Sequence, residues 1–291
     1  MEDQNVNKLT LPSPAKLNLF LHINGKLPNG YHELQSLFHF VDYGDELTFT
    51  LTENEAIELS CNFQELETND NLIIRAAKAL QERYNQDNLL PGVKIHLHKV
   101  LPMGGGVGGG SSNAATTLLA LNQLWRLNLS LSELESIGNE LGADVPIFIR
   151  GKTSIAEGTG DKMVDYPVME KWYLILTPDA HVNTALLFSN PDLPRNTPKI
   201  PNQLVNYSGI SSAHHNDFEE LVYKHYPEIA KARDWLLEYA PSRMTGTGAC
   251  IFSEFSDEQQ ALEIFHQLPE GLTGFVAKGC NKSPTHQVLF G

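Results

Sequence analysis

Cysteine is scarce in this 291-residue sequence, and Cys61, Cys250 and Cys280 stand far apart. An odd number at such spacing fits neither a zinc site nor a disulfide framework, so they read as reduced thiols. Positive charge is also short. Only 21 Lys and Arg face 35 Asp and Glu, a formal net charge of −14, which argues against non-specific binding to nucleic acid or an anionic membrane, since both need a basic face. Any phosphate site must therefore be positive locally. There is no apolar run of membrane-spanning length, and the opening Met1-Glu2-Asp3-Gln4-Asn5 lacks both the basic region and the apolar segment of a signal peptide. A cytoplasmic protein is expected, as a monomer or weak homodimer. Internal repeats are absent as well, which excludes solenoids and propellers.

The length favours two domains over one core. Residues 17–23, 45–52 and 93–100 carry alternating or β-rich apolar patterns and predict half-buried strands. Ile73, Ala76, Ala77, Leu80 and Tyr84 follow helical spacing after Asp70, a plausible N-cap. Residues 112–126 favour a second helix, and Ser132 with Glu135 forms a capping-box pattern opening a third. Strands come first and helices cluster after them, so the predicted class is α+β rather than a doubly wound parallel sheet. Four prolines in residues 190–202 predict an irregular surface excursion. A change of character near residues 150–160 divides the chain into expected domains 1–155 and 156–291.

Six glycines crowd seven positions, Gly104 to Gly110, between a predicted strand and a helix expected to begin near Ser111 or Ser112. A flexible linker is the bland reading, but linkers are not usually squeezed between a β-rich strand and an alanine-rich helix. Glycine allows backbone N–H groups to converge on an anion, and the helix start adds its positive dipole end. A phosphate-binding loop is the consequence. Gly104, Gly106 and Gly109 satisfy G-x-G-x-x-G by accident of so many glycines, and the loop follows a long β-rich region rather than a first strand, against a dinucleotide fold. No Gly-Lys-Ser/Thr follows, and no HRD or DFG triplet appears, which excludes Walker A and protein-kinase loops.

The run from Pro102 through the glycines to Ala115 resembles the ATP-binding motif of the galactokinase, homoserine kinase, mevalonate kinase and phosphomevalonate kinase superfamily. Pro14-Ala15-Lys16-Leu17-Asn18-Leu19 is similar to the first motif of that superfamily, and Thr245-Gly246-Thr247-Gly248-Ala249 to its third. Within it, residues 14–21, Gly30-Tyr31-His32-Glu33-Leu34, Leu141-Gly142-Ala143-Asp144-Val145-Pro146 and Ala277-Lys278-Gly279 resemble the branch that phosphorylates the 2-hydroxyl of a cytidine-diphosphate-linked methylerythritol, in the non-mevalonate route to isoprenoid precursors. Val107 stands where leucine is commoner and Asn29 where aspartate is usual.

The resemblance implies a two-domain fold, ATP as co-substrate and Mg²⁺ bound with it. It makes Asp144 the catalytic base and places Lys16 against the reacting hydroxyl and Asp144; read alone, these are a turn or N-cap aspartate and an edge lysine with its head in solvent. It assigns Asn71, Lys99, Pro102, Met103, Gly104, Gly105, Gly106, Val107, Gly108, Gly109, Gly110, Ser111 and Ser112 to ATP, and Asn18, Tyr31, His32, Thr184 and Phe188 to the cytidylyl substrate. Tyr31 and His32 follow Asn29-Gly30, a turn signal that by itself equally fits a plain surface turn; the resemblance makes them an aromatic face and a ring-edge contact for the cytosine. His96 and His98 lie two apart on a strand, but no third metal ligand accompanies them, and they read as surface residues. No dedicated metal site is expected, because Mg²⁺ binds mostly to nucleotide phosphates. A sister kinase acting on homoserine, mevalonate or a sugar would differ on the substrate side. A silent nucleotide-binding regulator would lack Lys16 or Asp144.

Overall fold

A computed structural model describes residues 7–28, 30–84 and 90–291. Two long antiparallel strands, β1 (Lys8–Lys26) and β2 (His32–Thr52), form its spine. Their register shifts between Pro14 and Lys16, Asn18 and Phe20, and Ile23 and Gly25. Such irregularities re-aim side chains, and the first two flank Lys16 and Asn18. β3 (Ile57–Cys61) lies parallel to β4 (Gly92–His98), which pairs with β2. β5 (Ser154–Gly158) pairs with both β2 and β6 (Lys162–Asp165). β7 (Trp172–Leu176), β8 (Ser242–Met244) and β9 (Ile251–Phe255) join through β10 (Gly274–Cys280), whose end pairs with β2. The described strands thus form one connected sheet. Position 155/156 lies inside β5.

Four helices cover the first part of the sheet: α1 (Leu72–Tyr84), α2 (Gly109–Leu124), α3 (Leu131–Leu141) and α4 (Val145–Arg150). Phe40, Phe49 and Ile95 from the strands pack there with Leu80, Leu118, Leu121 and Phe148. A second core, with Leu174, Phe218, Ile229 and Ile251, lies under α5 (Thr184–Ser189), α6 (Glu219–His225), α7 (Pro227–Leu237) and α8 (Glu258–Phe265). A third, holding Leu17, Leu19, Val107, Tyr173 and Phe252, joins strands of both parts. The last helix, α9 (Pro284–Phe290), returns to β1.

Mixed helix and sheet agree with the α+β expectation, while several details differ. Residues 17–23 are buried on both faces rather than half-buried, because α2 packs on β1 and the third core takes Leu17 and Leu19. β4 ends at His98, not at residue 100, because Asp45 captures the N–H groups of Val100 and Leu101, both at 2.8 Å, and turns the chain off the sheet. The start of α1 is held by Asn71, whose Oδ1 accepts from the Ile73 N–H at 2.9 Å, rather than by Asp70. α2 begins at Gly109, earlier than Ser111, since Gly108 occupies the N-cap with φ +76°. The capping box is Ser130 with Glu133; both pairs fit the pattern, but α3 starts at Leu131, which puts Ser132 already in its first turn. Residues 190–201 are irregular, as the prolines predict. Asn29 lies outside the described residues.

Candidate active site

The glycine run leaves β4 at Lys99 and enters α2 at Gly109. At a helix start the first N–H groups have no partner within the helix, so Gly109, Gly110 and Ser111 present theirs at the positive end of a 16-residue helix. A cavity of about 490 Å³ opens there. It is lined by Asn71, Lys99, Pro102, Met103, Gly104, Gly105, Gly106, Gly108, Gly109, Gly110 and Ser111, and also by Asn113 and Asp144. The side chains of two expected members point elsewhere. Val107 is packed in the third core, and Ser112 is fully buried against Ser13. Lys99 is not free in solvent at the end of β4: its Nζ reaches Asp45 Oδ2 at 2.7 Å, and both side chains are buried. The same carboxylate holds the loop entrance, so Asp45 ties the lysine and the loop backbone together. Asn71 spends its amide locally, donating to Leu66 O at 2.8 Å as well as capping α1.

Lys16 is 2% exposed, so the solvated-edge reading fails. Its ammonium donates to Asn18 Oδ1 at 2.6 Å and to Gly106 O at 2.9 Å, and lies 3.2 Å from Asp144 Oδ2. Its own N–H donates to Val107 O. Asn18 in turn donates to Ser36 Oγ at 2.8 Å, and its backbone N–H reaches Thr245 Oγ1 at 2.9 Å. Asp144 does occupy the N-cap position of α4, as a turn aspartate would, but its side chain makes no capping bond. It faces Lys16 instead and stays 37% exposed. A carboxylate with solvent access, held against a buried ammonium, is equipped to take a proton from a hydroxyl beside it.

Lys16, Asn18, Asp144, Thr184 and Phe188 line a second cavity of about 290 Å³. It shares Gly106, Asp144 and Thr184 with the first. A third cavity, about 600 Å³, holds Gly30, Tyr31 and His32 and shares Leu34, Ala143, Thr159 and Phe188 with the second. The three form one trough with the Lys16–Asp144 pair near its middle. Tyr31 is 66% exposed at the outer end. The His32 and Phe188 rings lie 4.9 Å apart at 33°, and Arg195 Nε donates to His32 Nε2 at 3.0 Å. Burial, helped by Arg195 and Lys26, holds the His32 imidazole below its ordinary pKa, so it is neutral at pH 7.

Sequence reasoning missed Asp45, Ser36, Arg195 and the Thr159-Gly160 turn. Only Asp45 carried a signal, an acidic residue opening a β-rich run. His96 and His98 are both exposed. Among the described residues no group of three His, Cys, Asp or Glu is placed to hold a metal, and no helix is long and apolar enough to cross a membrane.

Comparison with known proteins agrees with this architecture. Residues 71–152 match the GHMP kinases N terminal domain, and residues 195–273 match the GHMP kinases C terminal domain. The class is therefore a GHMP kinase, an ATP-dependent small-molecule kinase. A 4-diphosphocytidyl-2-C-methyl-D-erythritol kinase of Haemophilus influenzae (strain 86-028NP) is 54% identical over 98% of this chain and 89% of its own. One from Shewanella piezotolerans is 56% identical over 94% of each. The chain belongs to the 4-diphosphocytidyl-2-C-methyl-D-erythritol kinase family. A crystal structure of 4-(cytidine 5'-diphospho)-2C-methyl-D-erythritol kinase superposes with a TM-score of 0.80 at 26% identity, covering 93% of this chain and 99% of that one. Methanococcus jannaschii mevalonate kinase shares the fold, with a TM-score of 0.70 at 16% identity over 94% of this chain and 98% of its own.

Proposed function

We propose that this protein transfers the γ-phosphoryl group of ATP to the 2-hydroxyl of 4-diphosphocytidyl-2-C-methyl-D-erythritol, giving the 2-phosphate and ADP, in the non-mevalonate isoprenoid precursor route. The observation that carries the reading is the continuous trough: glycine loop at one end, Tyr31, His32 and Phe188 at the other, and Lys16 with Asp144 between. The glycine loop and the α2 N-terminus receive the ATP phosphates. Tyr31, His32 and Phe188 receive the cytosine, and Asn18 and Thr184 the part of the substrate nearer the reaction. Lys99 and Asn71 flank the nucleotide at the loop entrance. Residues 1–155 supply the nucleotide loop and the reacting pair, and residues 156–291 complete the substrate pocket.

Phosphoryl transfer asks a protein mainly for positioning and for positive charge around the transferring group. Asp144 accepts the proton of the hydroxyl. Lys16 is held by Asn18 and Gly106, so its charge is already aimed when substrate binds and stabilises both the nucleophilic oxygen and the phosphoryl oxygens. Hard oxygen donors suit Mg²⁺, and the Ser111 hydroxyl offers one in the loop cavity, where it would help hold a Mg²⁺ carried by ATP that would offset phosphate charge.

An ADP-release assay across candidate alcohols tests the assignment. Rapid ADP release with the cytidylyl substrate, and none with homoserine, mevalonate or galactose, is the expected result. Turnover of one of those alcohols in place of the cytidylyl substrate would overturn it.

A further inference from the structure

Arg195 lies in the proline-rich segment between α5 and α6 and has no place in the phosphoryl-transfer machinery. Its guanidinium nevertheless makes four bonds. Nη1 donates to Leu193 O at 2.9 Å, Nη2 to Phe188 O at 2.9 Å and to Asn190 O at 2.7 Å, and Nε to His32 Nε2 at 3.0 Å. The three carbonyls belong to the end of α5 and the segment after it, so the fork is locked before it meets the imidazole. Guanidinium is a donor only and stays charged at every accessible pH. His32 Nε2 must therefore present its lone pair, and the ring proton must sit on Nδ1. Nδ1 has no hydrogen-bond partner among the described residues, and His32 lines the outer cavity, which Arg195 does not. The nitrogen left for a ligand is an N–H.

We propose that Arg195 is a positioning residue that sets base choice by locking His32 as an Nδ1–H donor, selecting a pyrimidine whose ring N3 accepts over one whose N3 carries hydrogen. Cytosine offers a lone pair at N3; uracil offers N–H there, and two donors would face each other. His32 does not read the exocyclic amino group of the base, because a locked donor cannot accept from an amine. The inference rests on the proposed cytidylyl substrate and adds the atom that discriminates and the residue that commits it.

The experiment compares Arg195→Met, Arg195→Gln and Arg195→Lys with the parent on the cytidylyl substrate and its uridylyl analogue. Arg195→Met frees the imidazole to present either nitrogen. KM for the cytidylyl substrate should rise about 3- to 10-fold, the scale of one neutral hydrogen bond, while kcat stays within about two-fold, since ground-state and transition-state binding suffer alike. Preference over the uridylyl analogue should fall about 10-fold, because the mismatched N–H now finds an acceptor. Gln, which can donate or accept, should behave like Met. Lys can only donate, and should retain the preference even where the segment is loosened.

The pH profile separates this role from simple support. The charged groups facing the ring are Arg195 and Lys26, and α5 faces it with Phe188. Once Arg195 is gone, acid protonates the ring and restores hydrogen to Nδ1 whichever tautomer prevailed. In Arg195→Met, KM for the cytidylyl substrate should fall back toward the parental value as the pH is lowered, more steeply than in the parent. ¹⁵N NMR of the unmutated protein, with His32 assigned by its loss in His32→Gln, reads the tautomer directly and needs no altered segment to fold. An Nε2–H signal would overturn the proposal, as would parental base preference in folded Arg195→Met. A parent that turns over no cytidylyl alcohol at all would instead remove the functional reading beneath it.

Discussion

Lys16 and Asp144 meet at 3.2 Å, one from the middle of β1 and the other from the start of α4, with the glycine loop closing the third side through Gly106 O. An asparagine in place of the aspartate would keep nearly the same shape and lose the ability to take a proton. Asp144→Asn should keep the fold and ATP binding and lower kcat by about 10²- to 10⁴-fold, the usual cost of removing a general base. Turnover within a few-fold of the parent would leave Asp144 as a structural residue of α4.

Lys16 is a second, separable case. Its ammonium touches three acceptors, so Lys16→Met removes charge from the reacting centre and leaves Asn18 Oδ1 and Gly106 O without their donor. Turnover should fall while ATP still binds, as read by equilibrium titration with ADP. Loss confined to ATP affinity, with kcat intact, would place Lys16 in the nucleotide site instead.

Gly108 tests the loop. Its φ of +76° favours glycine, and a Cβ there would stand 2.8 Å from Phe148 Cζ and 3.1 Å from Lys16 Cε. Gly108→Val should therefore weaken ATP and ADP binding and also slow turnover by displacing Lys16. Binding of the cytidylyl substrate, measured alone by calorimetry, should persist. Equal loss of all three ligands would mean general misfolding rather than a damaged phosphate loop.

The glycine loop was legible because six glycines before a helix have few other uses. Lys16 and Asp144 were legible only through resemblance to a family: a lysine in an apolar strand and an aspartate before a proline are ordinary by themselves. What made them a pair is a register shift in β1 and an N-cap whose side chain turns away from its helix, and neither leaves a mark in local sequence. Arg195 was illegible for a related reason. It contacts His32 across a long sequence separation, from a segment whose prolines announce only irregularity. The misplaced capping box shows the local limit, since Ser130-Glu133 and Ser132-Glu135 satisfy the same pattern and only the packing of α3 chooses.

Two imidazoles outside the reacting centre predict how the fold responds to acid. His22 is 2% exposed, and burial, reinforced by His215, lowers its pKa to about 4. His39 is fully buried and lowered to about 3 by burial. Unfolded histidine titrates near pH 6.5, so as pH falls below that value the unfolded chain takes up protons that the folded one refuses, and stability drops. Between pH 6.5 and pH 5 each site should cost about 2 kcal/mol, the full loss at His22 being reached only near its folded pKa. Urea midpoints measured across this window should fall with pH, and His22→Asn should flatten the slope. A slope unchanged in that variant would remove His22 from the account.

The outer cavity gives the remaining prediction. Phe188 packs on His32 at 4.9 Å and meets Phe218 edge-on at 5.0 Å, so its ring is held by aromatic contacts on two sides and is in place before a ligand arrives. Tyr31 lines the same cavity at its exposed end. A pyrimidine stacked on such rings gains about 1–3 kcal/mol per base, so Tyr31→Ala should raise KM for the cytidylyl substrate by roughly 10- to 150-fold where KM tracks binding. Phe188→Ala should do the same and also loosen His32, which adds a loss of base preference that Tyr31→Ala lacks. Neither residue lines the loop cavity, so KM for ATP should change little in both. Parental KM for the cytidylyl substrate in both variants would show that the base binds elsewhere, and a matching rise in KM for ATP would show that the trough had collapsed as a whole.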